Sequence, residues 1–247
     1  LQMKSSIEAM RALALVAAAE VDRTAHAHDA DAAQVHQGRV DLLTPIVKGW
    51  LTEMAQEVTS LGVQIHGGMG FIEETGAAQH YRDARILTIY EGTTGIQALD
   101  LVGRKTLLNQ GELLTRLLDE IGETVALLQG SATLAHQAEA LDDALCAGRA
   151  ALRVLLDNAK NDAHLAGSIS VNFMMLFGYL CGGWLMARSA LRAQALLDSG
   201  NGDPQFLDAK RITADFYAEQ LLPRVHALLA AISSGSKSIM ALDDEQF

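Results

Sequence analysis

Met3, Ile7, Met10, Ala14, Ala17 and Val21 recur at intervals of three and four, the spacing that lines one face of an α-helix with apolar groups. A His- and Asp-rich run from Thr24 to Asp31 breaks the pattern. Leu43, Val47, Trp50, Met54, Val58 and Leu61 resume it, which predicts a second helix antiparallel to the first. Pro45 either lies in that helix's first turn, where its missing N–H is harmless, or kinks a helix that begins earlier. Gly62, Gly67, Gly68, Gly70 and Gly76 then predict a loop with one helical turn, followed by a short helix around Gln79–Ala84.

Thr93 suits the N-cap of a helix running from Thr94 to about Leu108, which leaves Glu91 just outside its N-terminal end. Gly111 marks a joint. Beyond it Leu114, Leu117, Ile121, Val125 and Leu128 form one stripe, Ala138, Leu141, Leu145 and Leu152 another, and Tyr217, Leu221, Val225, Leu228 and Ile232 a third. With the apolar segment after Gly167 these make a second four-helix bundle. The expectation is an all-α protein of two helical bundles in series, residues 1–110 and 111–247.

Composition agrees: 49% of residues are apolar, Ala and Leu dominate, and there are only 3 prolines. The segment 163–187 carries no charge except on His164 and is long enough to span a bilayer. Its four glycines, its Ser and Asn residues and its lack of basic flanks point instead to a helix buried in a bundle, with no membrane insertion. A net charge of −11 disfavours nucleic acid and anionic lipid as partners, although a local cluster of donors can still hold a phosphate-bearing ligand.

Cys146 and Cys181 form neither a disulfide framework nor a zinc pattern, and a reducing, cytoplasmic setting is expected. The chain starts at Leu1 with no targeting signal and reads as part of a longer polypeptide. His26, His28, Asp29, Asp31 and His36 have the right chemistry for a metal but no closed tetrahedral spacing, so they read as a solvated turn and no metal site is expected.

The remaining signal is a pair of motifs, Gln64-Ile65-His66-Gly67-Gly68-Met69-Gly70 and Ile89-Tyr90-Glu91-Gly92-Thr93-Thr94-Gly95-Ile96-Gln97. Removing a proton next to a thioester carbonyl takes a carboxylate base and donors aimed at the carbonyl oxygen. Glu91 followed by glycine offers the base, a backbone N–H, and room for close approach.

These motifs resemble the cofactor-contacting and catalytic-base segments of acyl-CoA dehydrogenases, over residues 3–105. The resemblance implies that Glu91 is the catalytic base, that Gly92 touches the acyl-CoA substrate, and that hydride passes to FAD. It also implies that Thr93, Gly95 and Gln97 contact FAD, while Gln64, Gly67 and Gly68 contact its ADP half, commonly in a neighbouring subunit. Many relatives carry glutamine where this chain has Gly95.

Tyr81-Arg82-Asp83-Ala84-Arg85 also matches the family and reads as structural, as do Glu73 and Glu74. Residues after Gly111 resemble the extra helical bundle of the larger, roughly 600-residue members. The family further implies an electron-transfer flavoprotein or similar acceptor, a homo-oligomer, and activity that needs an N-terminal helical domain and a β-domain not contained here. An acyl-CoA oxidase and a non-catalytic helical interaction module are the alternatives.

Overall fold

The computed structural model describes residues 1–246 and is helical throughout, with no strand among the described residues. Helix α1 spans Gln2–Ala25 and α2 spans Ala30–Ile65. Of the two readings of Pro45, the structure takes the earlier start: the Asp29 carboxylate caps α2 by accepting from the Ala32 N–H at 2.7 Å, and Pro45 is buried inside the helix. Two histidines of that region meet carboxylates. His36 Nδ1 lies 2.7 Å from Glu20 Oε2, and His28 Nε2 lies 2.9 Å from Asp29 Oδ2.

One turn, α3 (Gly68–Phe71), and a 3-10 turn at Glu73–Thr75 lead into α4 (Ala77–Ile86). Helix α5 begins at Thr94, is α-helical to Leu99 and continues as a wider π-helical stretch over Asp100–Leu107. There the Thr106 hydroxyl donates to the Leu101 carbonyl five residues back at 2.8 Å, reinforcing the wide turn. Gly111 ends the run in the left-handed conformation expected of a glycine joint, φ 80°.

The C-terminal half holds α6 (Glu112–Gln129), α7 (Ala135–Asn158), α8 (Leu165–Asp198), α9 (Pro204–Gln220) and α10 (Arg224–Ser233). The stripes expected on α6 and α7 are in the core. The third stripe, expected as one helix, is two. Pro223 has no N–H to donate and its ring crowds the preceding turn, so the chain bends between α9 and α10, which share the place of that one stripe.

Helix α8 contains most of the uncharged segment and is long and apolar enough to cross a bilayer by composition alone. Phe173, Phe177, Leu180 and Trp184 on it are fully buried against neighbours from both halves of the chain. Its contact with α2 is a close one between glycines. Met174 lies over Gly49, while the Trp50 ring fills the notch at Gly178 and reaches Gly182, where the Tyr217 hydroxyl also packs. The Trp50 and Tyr179 rings then meet edge to face with centroids 5.8 Å apart.

A polar tie crosses the same junction. Arg224 of α10 donates to both carboxylate oxygens of Glu57 on α2, at 2.7 and 2.8 Å, and to the Tyr179 hydroxyl at 2.8 Å. The guanidinium holds the Glu57 carboxyl below the usual carboxylate range, more than offsetting burial, which pushes it up. A depressed folded value means the stabilisation is present at neutral pH and fades as pH falls through that value. Arg224→Met should therefore cost about 1–2 kcal/mol at pH 7, as expected for half-buried charged hydrogen bonds. The stability difference between variant and parent in denaturant titrations should begin to shrink near the free carboxylate value, about pH 4, and close only below the depressed folded value.

Candidate functional site

The Glu91 loop grows out of the end of α4. The Ile89 and Tyr90 N–H groups both donate to the Ile86 carbonyl, and the Thr94 N–H donates to the Thr88 carbonyl at 3.1 Å, closing the loop at its neck. Thr93 caps α5 as expected, its hydroxyl accepting from the Ile96 N–H at 3.3 Å, which leaves its own O–H free to donate outward.

Glu91 is exposed and has φ 49°, the left-handed region that a residue with a Cβ seldom enters. Such strain, of order 1 kcal/mol or more, persists where surrounding contacts impose it, and it concentrates at functional sites. Among the described residues the Glu91 N–H donates to no group of the chain. Gly92 follows with φ 93°, and a Cβ there would lie 2.6 Å from the Gln97 Nε2. Gly92 thus serves two ends: it turns the loop and admits the Gln97 amide against it. Glu91, Gly92, Thr93, Gly95 and Gln97 are together at one helix mouth.

Three side chains of α2 hold this region from behind. Lys48 donates to the Leu87 carbonyl and stands over the Tyr90 ring, 5.3 Å from its centroid. Glu53 accepts from the Thr94 hydroxyl at 2.5 Å, and Gln56 donates to the Ala84 carbonyl at 2.5 Å. Sequence reasoning did not single out these three. They lie off the apolar stripe of α2, and their partners are far along the chain.

The glycine motif is elsewhere. Gln64 lies one residue before the end of α2, its side chain exposed and unbonded among the described residues. Gly67 takes φ 59°, which requires glycine, whereas a Cβ on Gly68 would meet nothing within 4 Å. Gly95 is likewise unconstrained by its own chain apart from Thr93 Oγ1 at 3.9 Å. Gly70, in the same motif, is needed internally, since a Cβ there would press on the Val63 carbonyl and His66. From Glu53, beside the Glu91 loop, to Ile65 at the glycine turn is a rise of roughly 18 Å along α2. The two motifs are therefore separate patches, and an elongated ligand or two ligands would be needed to touch both.

Arg82 forks onto Glu73 at 2.7 and 2.8 Å, which holds that carboxyl below its usual range, so both residues act within the fold as expected. Burial pushes the Cys181 thiol up to about 12, so it is no nucleophile at neutral pH. Around the two patches large apolar groups face outward, including Ile65, Met69, Phe71, Tyr90, Ile96 and Leu99. Exposed apolar groups of this size at both patches are available for cover by another protein segment.

Residues 1–106 match the family described as Acyl-CoA dehydrogenase, C-terminal domain, and residues 117–243 match that described as Acetyl-CoA dehydrogenase C-terminal like. The chain is 46% identical over 241 residues to a 3-methylmercaptopropionyl-CoA dehydrogenase of Ruegeria pomeroyi, covering 97% of this chain and 41% of that protein. It is 35% identical over 257 residues to a broad-specificity linear acyl-CoA dehydrogenase of Mycobacterium tuberculosis, covering 99% and 41%.

Among solved structures, an acyl-CoA dehydrogenase complexed with FAD from Bacillus anthracis shares the fold at a TM-score of 0.66 and 20% identity, over 99% of this chain and 43% of that one. The chain belongs to the acyl-CoA dehydrogenase family. It spans about two fifths of the length of these curated relatives.

Proposed function

We propose that this chain is the C-terminal helical part of a flavin-dependent acyl-CoA dehydrogenase, in which Glu91 takes the α-proton of an acyl-CoA thioester. The observation that carries this reading is the left-handed Glu91 on an exposed loop, its carboxylate free of any ion pair among the described residues and its N–H unpaired. A carboxylate and a backbone donor from one residue, with no Cβ on Gly92, can serve the α-carbon and the thioester oxygen together. One such donor contributes about 3 kcal/mol to the transition state.

Bound FAD supplies the acceptor for the β-hydride. The residues present fit it: the positions where Cβ atoms would stand on Gly67, Gly68 and Gly95 open onto free space or, at Gly95, meet only the Thr93 hydroxyl. Thr93, Gly95 and Gln97 are proposed to contact the flavin nucleotide beside Glu91. Gln64, Gly67 and Gly68, about 18 Å away along α2, are proposed to meet the ADP half of a neighbouring subunit's FAD, which makes the working form a homo-oligomer. The exposed apolar face around both patches supports cover by the rest of the protein, so activity belongs to the whole enzyme, with an electron-transfer flavoprotein or similar acceptor downstream.

The test is anaerobic titration of the purified whole protein with acyl-CoA thioesters. A yellow preparation that bleaches with one of them is expected. A colourless protein that gains no flavin and binds no thioester would overturn the reading in favour of a non-catalytic helical module, and peroxide formed without added acceptor would favour an oxidase.

A further inference from the structure

The carbonyl of Leu87, the residue that ends α4, takes no backbone donor among the described residues, and the chain runs from it directly into the Glu91 loop. The Lys48 ammonium meets that carbonyl, where a cation is favoured by the helix dipole, and lies over the Tyr90 ring one residue before Glu91. At the far end of the loop the Glu53 carboxylate takes the Thr94 hydroxyl at 2.5 Å. Lys48 and Glu53 are five residues apart on one rigid helix, a rise of about 7.5 Å, so each reaches a different end of the loop. All three side chains are half-buried.

We infer that Lys48 and Glu53 are positioning residues, a two-point clasp that holds the loop of residues 87–94 in the conformation that keeps Glu91 left-handed and its carboxylate aimed at the substrate. This rests on the proposed role of Glu91 and adds the residues that present it. A left-handed glutamate relaxes to a commoner conformation once either end of the loop is loosened, because the strain is imposed from outside the residue. Relaxation swings the carboxylate away from the α-carbon, and displacement of a reacting group by about 1 Å costs on the order of 100-fold in rate.

The experiment uses the whole flavin-loaded protein carrying Lys48→Met, Glu53→Leu, Thr94→Val or Thr94→Ser. Amide hydrogen exchange in residues 87–94 should rise severalfold in the first three. Flavin reduction at saturating acyl-CoA should slow by about 10–100-fold, with KM within threefold and FAD retained. Thr94→Ser keeps the donor and should restore both. The Glu53→Leu, Thr94→Val double variant should be no worse than either single one, since the two changes remove one bond.

Parental exchange and reduction rates in Lys48→Met and Glu53→Leu would overturn the inference. So would losses in Thr94→Val that Thr94→Ser shares, or slowing that tracks loss of FAD. Glu91→Gln run alongside separates the two layers: if it reduces flavin normally the role of Glu91 fails, while the exchange data still judge the clasp on their own.

Discussion

Glu91→Gln in the whole protein should leave FAD bound and slow flavin bleaching by acyl-CoA by about 10²–10⁴-fold, the usual contribution of a positioned general base. The amide is nearly the same shape as the carboxylate, and among the described residues Glu91 has no ion pair or side-chain hydrogen bond whose loss would disturb the fold. The effect is thus confined to proton removal. Thioester affinity and thermal stability should stay close to the parent, because the thioester oxygen is proposed to meet the Glu91 N–H, which the substitution preserves. Stopped-flow reduction at saturating thioester, together with FAD content, is the measurement. Reduction within tenfold of the parental rate would remove Glu91 from the mechanism.

The largest expected effect on stability comes from Gly178→Ala. An added methyl would overlap Cγ and Cδ1 of the Trp50 indole and lie 2.6 Å from the Trp50 Cβ, and neither group can yield: Trp50 is fully buried and Gly178 lies in the middle of α8. Overpacking of this kind costs about 3 kcal/mol. For a domain of this size that corresponds to a fall of roughly 6–12 °C in the unfolding midpoint. Gly167→Ala on the same helix is the control, since its methyl would meet nothing within 4 Å. Alanine is the better helix former, so that variant should equal or exceed the parent. Differential scanning calorimetry of the pair decides the matter; equal midpoints would mean that α2 and α8 do not pack as described.

The helices were legible because their apolar residues repeat with the helical period, and the buried ones are largely the residues that define the stripes: Leu114, Leu117, Ile121, Val125 and Leu128 on α6 are all in the core. The mouth of α5 was legible through Thr93, whose hydroxyl caps the helix by a local bond to the Ile96 N–H. Periodicity does not register what breaks a helix without breaking its stripe. Tyr217, Leu221, Val225 and Ile232 keep their spacing across Pro223 although the backbone turns there. Nor does it register the π-helical stretch at Asp100–Leu107, which carries apolar and polar residues like any helix.

At the site, motif resemblance pointed to the loop, and the structure explains its shape. The left-handed Glu91 and the supports from Lys48 and Glu53 depend on contacts between residues about 40 positions apart, and nothing in either segment alone announces them. The Glu57–Arg224 pair, 167 positions apart, lies still further beyond local reading.

Trp50 sits on α2 between Lys48 and Glu53, and its ring is seated in the glycine notch of α8. The helix that carries the supports of the Glu91 loop is therefore keyed into the segment contributed by the other half of the chain. If Glu91 acts as proposed, a lesion in that later half that unseats Trp50 should slow flavin reduction as well as lower stability, although it lies remote from any ligand.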